Sequence, residues 1–595
     1  MSIPRLDSAA LPVDLGADDF GTALVSRLAN EYFSGAPSES KLPSAPVSVP
    51  HTVAGLPAEL PSSNPLGSSG SSKGGRDISL SGGFPHASSA AAPPVHPTVV
   101  AADPEPVAKD KEPPSGTHRP GDGASHEFGE PSFYTQGLGS RVSSPPTKAA
   151  DHPGLPGTGS DLLEPDFYFL KDVPGLRLTS FGTQPSPLSG LPEFNIDGVR
   201  KDFPALQQHV NGSTLVWLDN AATTHKPQSV IDATSRFYSR DNSNIHRAAH
   251  TLAARSTELF ESGREKVRQF LGAADAKEIV FVRGTTEAIN LVAQSWGHQN
   301  VSQGDEILVS QLEHHANIVP WQLLASQVGA TLRVIPINDR GELLLEELPG
   351  LLTDRTKIVS VTHVSNALGT VNPIEEIIAM AHSRGIPVLV DGAQSTPHFP
   401  INVTALDADF FVFSGHKVFG PTGIGALYGK SHLLEAMPPW QGGGHMIKDV
   451  TFEKTIYNAP PEKFEAGTPD IAGVVGLGAA IDYLINLGIP ALAAYEHSLL
   501  EYAEDALRSV HGIRQIGTAA NKASVFGFVI PGIPNDRIAK ELDRQGIAVR
   551  AGHHCAMPAV RHFGIEGTVR PSLAFYNNRG DVDALIQALH GIARR

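Results

Sequence analysis

F-V-F-S-G-H-K-V-F-G-P-T-G-I-G (411–425) decides how the chain is read. Its first residues, aromatic and β-branched, indicate a buried strand, and the strand runs into a polar Ser414-Gly415-His416-Lys417 turn closed by glycines. Lys417 is therefore at a strand end. A lone lysine there is ordinarily solvated surface. Upstream, however, P-V-L-V-D-G-A-Q-S (387–395) is a second short apolar strand, and its carboxyl end delivers Asp391 and Gln394. In open α/β sheets the carboxyl ends of the strands share one edge, where ligands bind. A lysine and an aspartate on that edge are the pair a pyridoxal phosphate site needs. The amine condenses with the cofactor aldehyde, and the carboxylate keeps the pyridine nitrogen protonated so that the ring acts as an electron sink.

Strand and helix alternate on either side of this core. E-I-V-F-V-R-G-T-T-E-A-I-N-L-V-A-Q-S-W (278–296) predicts a strand, a glycine turn and a helix whose inner face carries Ile289, Val292, Ala293 and Trp296. Gly284, Thr285 and Thr286 occupy that helix's first turn, where free N–H groups and the positive end of the dipole make a phosphate seat. Threonine is also simply a good N-cap. Further strands are expected in 215–218, 305–311, 331–337 and 357–366, and helices over 228–239, 252–271 and 474–487. Glu313-His314-His315-Ala316-Asn317 follows a strand end directly. Adjacent histidines point in different directions, and no carboxylate or thiol spacing supports zinc, so the segment suggests an imidazole stacked on a cofactor ring rather than a metal site. From about residue 490 the pattern is a helix, a strand pair and a terminal helix, a smaller α+β domain that holds Arg550, Cys555 and Arg570.

Composition divides the 595 residues unevenly, because more than half of the 48 prolines precede residue 190, along with runs such as G-S-S-G-S-S-K-G-G. Such a stretch buries too little apolar surface to offset its chain entropy, so residues 1–190 are expected to be a disordered extension. Within it, Phe20, Leu24, Leu28 and Tyr32 recur at spacings of four over 17–33, and P-S-F-Y-T (131–135) and P-D-F-Y-F-L (165–170) form aromatic islands. Sticky islands on a flexible tether suggest docking onto a partner, with packing on the chain's own enzyme domain as the alternative. The folded part then divides into an entry segment (191–215), a large cofactor-binding domain (216–489) and a small C-terminal domain (490–595). A net charge of -16 without a basic run argues against nucleic acid. No apolar run approaches a membrane span, and the first residues lack a hydrophobic leader, so a cytoplasmic address is expected. Cys555 is the single cysteine, which excludes an intramolecular disulfide or a multi-cysteine metal site. Its polar setting, R-A-G-H-H-C-A-M-P (550–558), points to an accessible, reactive thiol.

Together D-N-A-A (219–222), H-R-A-A-H (246–250), R-G-T-T-E (283–287), E-H-H-A-N (313–317), H-V-S-N (363–366), D-G-A-Q (391–394), S-G-H-K (414–417), F-E-A-G-T-P (464–469) and R-A-G-H-H-C-A (550–556) resemble the fold-type-I pyridoxal phosphate enzymes. Among the class V aminotransferases the likeness is to the SUF-type (group II) cysteine desulfurases. The resemblance covers 194–595 and implies an α/β fold with a mainly parallel large-domain sheet and a smaller α+β domain. It also implies a homodimer, and a role in sulfur metabolism and iron–sulfur cluster assembly. The implied reaction turns L-cysteine into L-alanine and leaves the sulfur on Cys555 as a persulfide for an acceptor protein or small thiol. In the implied site Lys417 carries the cofactor and moves the Cα proton. Asp391 pairs with the ring nitrogen, Gln394 bonds the phenolic oxygen, and His314 stacks on the ring. Thr285, Thr286, Ser414 and His416 hold the phosphate, with Thr468 reaching it from a second subunit. Asn366, Arg550, Arg570 and His246 bind the substrate. Two positions depart from the pattern. Ala551 stands where the family commonly has Ser or Thr, and His445, after the glycine triplet, adds a cation near the dimer interface. The extension resembles the cargo-loading segment of enzymes packaged in family 2 encapsulin shells, which implies a place inside a protein nanocompartment. A selenocysteine lyase on the same scaffold, or a catalytically silent scaffold module, are the alternative functions.

Overall fold

The structure, a computed structural model, describes residues 194–246 and 249–594. The features expected in residues 1–190 lie outside the described residues. Seven strands build one sheet: β1 (Ile279–Val282), β2 (Glu306–Ser310), β3 (Thr331–Ile335), β4 (Thr356–Thr362), β5 (Val388–Asp391), β6 (Phe410–Ser414) and β7 (Gly425–Gly429), in the spatial order β1-β7-β6-β5-β4-β2-β3. From β3 to β6 all neighbours are parallel, whereas β7 runs antiparallel to both β6 and β1. This is the mainly parallel sheet expected of a fold-type-I pyridoxal phosphate enzyme. Apart from the edge strand β3, whose Thr331 and Val334 are exposed, its strands are buried almost throughout because both faces are covered. Along β6, Phe411 and Phe413 enter one core while Phe410 and Val412 enter the other.

Helix α1 (Thr251–Leu271) packs through its one glycine, Gly263, against the glycine-rich start of helix α3 (Ile471–Leu487), with α2 (Thr285–Val292) between them in sequence. A Cβ on Gly263 of α1 would lie 2.4 Å from Val474 Cγ1 of α3, so the close approach needs glycine there. Among the described residues no single helix is long and apolar enough to cross a membrane.

Beyond the hairpin β8 (Ile447–Val450) and β9 (Thr455–Tyr457), and after α3 and α4 (Ile489–Arg508), the chain forms a second sheet. It has four strands, β10 (Arg514–Ile516), β11 (Gly527–Val529), β12 (Arg550–Gly552) and β13 (Thr568–Arg570), in the order β10-β11-β13-β12, with α5 (Arg579–Ala593) at the end. Sequence predicted only a strand pair here. Strands of three residues are too short to show the period-two alternation on which that prediction depends. The strand expected in 215–218 is a two-residue one, and Val216–Trp217 pairs in parallel with Ile547–Ala548. Leu218 belongs to the apolar core of this C-terminal part, with Phe526, Phe528, Val569 and Leu585.

Candidate active site

Register brings the chemistry to one edge. Asp391, the last residue of β5, lies opposite Thr362 of β4 and Val412 of β6, and one turn after β6 comes Lys417. Burial lowers the Lys417 ammonium to about 8, helped by Arg570, while Asp391, Cys555 and Asp219 pull the other way. Burial likewise pushes the Asp391 carboxyl above its ordinary value, against the Ala393 N–H that donates to it at 2.9 Å and the charge of Lys417. The residue after Asp391 must be glycine, because a Cβ on Gly392 would sit 2.0 Å from the Phe411 ring. Gln394 donates from Nε2 to the Ala221 carbonyl at 2.7 Å. His314 follows β2, its Nδ1 accepting the Ala316 N–H at 3.0 Å. Burial, then Lys417, lowers its pKa to about 3, so the ring is neutral.

At the other end of this edge, Gly425 of β7 lies opposite both Ser414 and Val282. Ser414 Oγ accepts the Thr285 N–H at 2.9 Å and donates to Thr285 Oγ1 at 2.9 Å, which ties β6 to the start of α2. Gly284 enters that helix at φ 151°, and a Cβ there would meet Ser414 Oγ at 3.0 Å. Thr286 is exposed in the same first turn. The His416 carbonyl accepts from Thr223 Oγ1 at 3.1 Å, Thr224 N at 3.1 Å and Lys226 Nζ at 3.3 Å, which fixes the turn that carries Lys417. Burial, then Lys417, takes the His416 imidazole to about 4.

From the small sheet come Arg550 and Arg570, opposite each other on β12 and β13. Both reach Asp219. Arg550 grips it with Nε and Nη2, 3.0 and 2.7 Å from Oδ2, and Arg570 Nη2 donates to Oδ1 at 3.1 Å. Arg570 Nη1 also donates to the Asn366 carbonyl at 2.9 Å, and Asn366 Nδ2 to the His554 carbonyl at 2.6 Å. Cys555 is exposed, at the tip of a turn in which His554 and Cys555 both have φ near +55°. Ala551 lies in β12 opposite Val569, and the turn beyond it is held by hydrogen bonds that need no hydroxyl at 551, including His315 N–H to the Cys555 carbonyl at 2.7 Å.

Two expected residues stand apart within this chain. His246 is exposed, 3.3 Å from Glu261, with its ring 4.6 Å from that of His445 and tilted 38° to it. Thr468 is exposed and accepts from Asn244 at 3.4 Å. Neither meets Lys417, Cys555 or the arginines in any described contact. His445, expected to add a cation, is half-buried beside another imidazole. Burial, then His246, holds its pKa below the ordinary value.

Three residues were missed as candidates. Asp219 stood in a quoted motif, a carboxylate in a turn of small residues after a strand, without a role. Lys226 is lowered to about 8 by burial, its ammonium given to backbone carbonyls. Glu313 is fully buried and accepts from Ser310 Oγ at 2.5 Å, Asn317 Nδ2 at 2.6 Å and Thr362 N at 2.9 Å, and burial pushes it up to about 8. Its signal was a carboxylate three residues beyond the end of a fully buried strand.

The residues present fit pyridoxal phosphate. A poorly solvated amine, a buried carboxylate, a neutral imidazole and a helix N-terminus lie along one edge. Beside them Asn366 Oδ1 and Arg570 Nε are buried without a partner. Leaving such groups unpaired costs about 1–3 kcal/mol each, a cost a bound carboxylate or amine would offset.

The family model described as "Aminotransferase class-V" matches residues 216–585. A cysteine desulfurase of Synechococcus elongatus is 56% identical over 467 residues, covering 76% of this chain and 74% of that protein. A probable cysteine desulfurase of Mycolicibacterium paratuberculosis is 58% identical over 400 residues, 67% of this chain but only 58% of that protein's length. The solved structure of the cysteine desulfurase CsdA (S-sulfonic acid) from Escherichia coli superposes with a TM-score of 0.63 at 45% identity, covering 68% of this chain and 99% of that one. With a lysine and an aspartate on the sheet edge and a cysteine turn facing them, the chain belongs to the class-V aminotransferase family and, within it, to the pyridoxal phosphate-dependent cysteine desulfurases.

Proposed function

We propose that the protein acts on L-cysteine through Cys555 as the sulfur acceptor, in the manner of the SUF-type enzymes, and passes the sulfur on to an acceptor protein or small thiol. The observation that carries this is the position of the only thiol. Cys555 is exposed, yet it is close enough to Lys417 and Arg570 to act on both electrostatically, and its turn is bonded to the residue after His314.

Lys417, Asp391, Gln394, His314, Thr285, Thr286, Ser414 and His416 would hold pyridoxal phosphate. Bound there, the cofactor supplies an electron sink for the bonds around the substrate's Cα. Arg570, with Asn366 beside it, takes the substrate carboxylate, since a guanidinium matches a carboxylate with parallel hydrogen bonds. Lys417 Nζ, with its pKa brought down to about 8, takes the Cα proton and returns one to the carbon skeleton. The Cys555 thiolate attacks the substrate sulfur. An S–S bond forms, the Cβ–S bond breaks with its electron pair left on carbon, and that carbon takes a proton to give alanine. One cysteine and one thiol give one alanine and one persulfide, with no external oxidant.

The test is Cys555→Ser. Loss of alanine formation, together with loss of the adduct of about 32 Da that one sulfur adds to the intact protein, is expected. Continued turnover of L-cysteine would overturn this role, and retained activity on selenocysteine alone would assign both chemistries to one site.

We infer further that the enzyme works as a homodimer, with Thr468 and His246 facing a partner's site, since both are exposed away from their own chain's lysine. Active monomers in sedimentation would end that proposal. Residues 1–190 are proposed to dock the enzyme inside an encapsulin shell in the cytoplasm. In support, the Synechococcus match covers more of the chain than residues 194–595 comprise, so part of the extension is shared with that relative. Equal encapsulation of protein lacking 1–190 would exclude it.

A further inference from the structure

The turn that presents Cys555 is backbone in an unfavourable conformation. Two successive residues with side chains, His554 and Cys555, have φ of 55° and 54°. The left-handed region costs a non-glycine residue roughly 1–2 kcal/mol. Such a turn persists only where its surroundings over-determine it.

Besides the His554 ring, whose Nε2 bonds Thr568 Oγ1 at 2.8 Å, five hydrogen bonds do so. Asn366 Nδ2 donates to the His554 carbonyl at 2.6 Å, His315 N–H to the Cys555 carbonyl at 2.7 Å, and Ala556 N–H to the His553 carbonyl at 2.9 Å. The other two end on imidazole nitrogens. His553 Nδ1 accepts the N–H of Cys555 itself at 3.0 Å, and His315 Nε2 accepts the N–H of Met557 at 3.3 Å. Met557 opens a short helix (Met557–His562), so His315 serves a donor that has no partner within that helix. The two rings lie 5.6 Å apart and 31° from parallel. In each ring the nitrogen that accepts is the one free of a proton. His315 therefore grips the turn twice, by its own N–H and by its ring, and its covalent neighbour is His314 on the cofactor edge.

Resting on the persulfide role of Cys555 above, we propose that His315 and His553 are positioning residues for sulfur transfer. Their ring nitrogens hold the left-handed Cys555 turn and fasten it to the segment that carries His314. Neither is needed for the events on the cofactor that precede the transfer.

The experiment uses the full-length holoenzyme. His315→Ala and His553→Ala are compared with His553→Asn, whose Oδ1 stands where Nδ1 stood, and with His315→Gln, whose Oε1 extends toward Nε2. Alanine formation, persulfide on Cys555 by intact mass, and the change in cofactor absorbance on adding L-cysteine are measured. Loss of one structured acceptor is expected to lower kcat about tenfold in each alanine variant, with KM and the rate of the absorbance change within about twofold of wild type. The Asn and Gln variants should recover at least about half of kcat. Wild-type kcat in both alanine variants, or Asn and Gln variants as slow as alanine, would overturn the proposal. If an alanine variant loses its cofactor absorbance through misfolding, His553→Gln replaces it, because its longer side chain misplaces the acceptor. A slow Gln beside an active Asn at 553 supports positioning, and equal rates refute it. Cys555→Ser, run in parallel, separates the two failures. Turnover without the thiol would sink the persulfide role itself, whatever the histidine variants do.

Discussion

The edge of the seven-stranded sheet and the Cys555 turn solve opposite problems with the same kinds of residue. At the sheet edge, groups are withdrawn from water and their proton affinities displaced, Lys417 to about 8 and His314 to about 3, both chiefly by burial. On the turn, the thiol is exposed and the burial falls instead on its neighbour His554 and on Asn366, which bonds it. Chemistry on carbon needs a dry, fixed site. Handing a sulfur atom onward needs a thiol that another molecule can reach. The chain meets both needs by building the edge from strand ends and the turn from hydrogen-bonded, strained backbone.

The contrast is broken most severely at Lys417. Lys417→Ala should lower alanine formation roughly 10²- to 10⁴-fold, the range of a positioned acid–base group, even at saturating cofactor. Turnover above a tenth of wild type would mean the edge does not work through that amine. Next comes the support behind β1. Arg264 donates to both oxygens of Glu465, at 2.7 and 2.9 Å, and Glu465 in turn receives the Phe281 N–H at 2.8 Å, all of it buried. Arg264→Met leaves that carboxylate alone in the core and should cost about 3–5 kcal/mol in urea unfolding. An unchanged midpoint would show the pair is not buried in solution.

Asp219 joins the two regions, so Asp219→Asn sharpens the comparison directly. Weakening charge-assisted bonds of about 1.5–3 kcal/mol should lower kcat/KM for L-cysteine roughly 10- to 100-fold while leaving cofactor absorbance intact. A drop confined to kcat would instead place the defect in the turn. The smallest effect is with pH. Burial lowers His225, His363 and His416 to about 4 and His314 to about 3. The unfolded chain, with ordinary histidines near 6.5, takes up protons first. The stability these rings contribute is therefore complete above about pH 6.5 and is lost as the pH falls toward 4. Glu313, raised to about 8 by burial, acts in reverse, stabilising below its ordinary 4.5 and losing that contribution as the pH climbs to 8; Asp391 is raised in the same sense. Four imidazoles against two carboxyls leave a net fall, visible as a declining apo-protein Tm between pH 6.5 and 4. A flat Tm across that window would contradict it.

Much of the large sheet was legible because its strands are apolar runs ended by polar turns. V-L-V-D and F-V-F-S show both the strand and the residue its end delivers. The four-stranded sheet was not, since three-residue strands such as Thr568–Arg570 are defined by partners far along the chain rather than by their own pattern. Side-chain partners across such distances were equally hidden. Nothing near Asp219 in sequence announces Arg550 or Arg570, 331 and 351 residues away. His445 shows the same limit, because a histidine after three glycines looks exposed until a neighbouring imidazole and burial are seen. Glu313 was quoted for its neighbours, yet its interior position depends on three polar partners that only folding assembles.

The carboxylate of Asp219 faces two guanidiniums, and that count has a consequence for what the pocket admits. Within that trio one carboxylate stands against two guanidiniums, and the Nε of Arg570 is still unengaged. A molecule bringing one carboxylate makes the trio electrically neutral. A thiol amine that lacks the carboxylate leaves the excess standing, and a dicarboxylate overshoots it. If Arg570 takes the substrate carboxylate as proposed, L-cysteine would meet that guanidinium with a matched charge as well as a matched hydrogen-bond geometry.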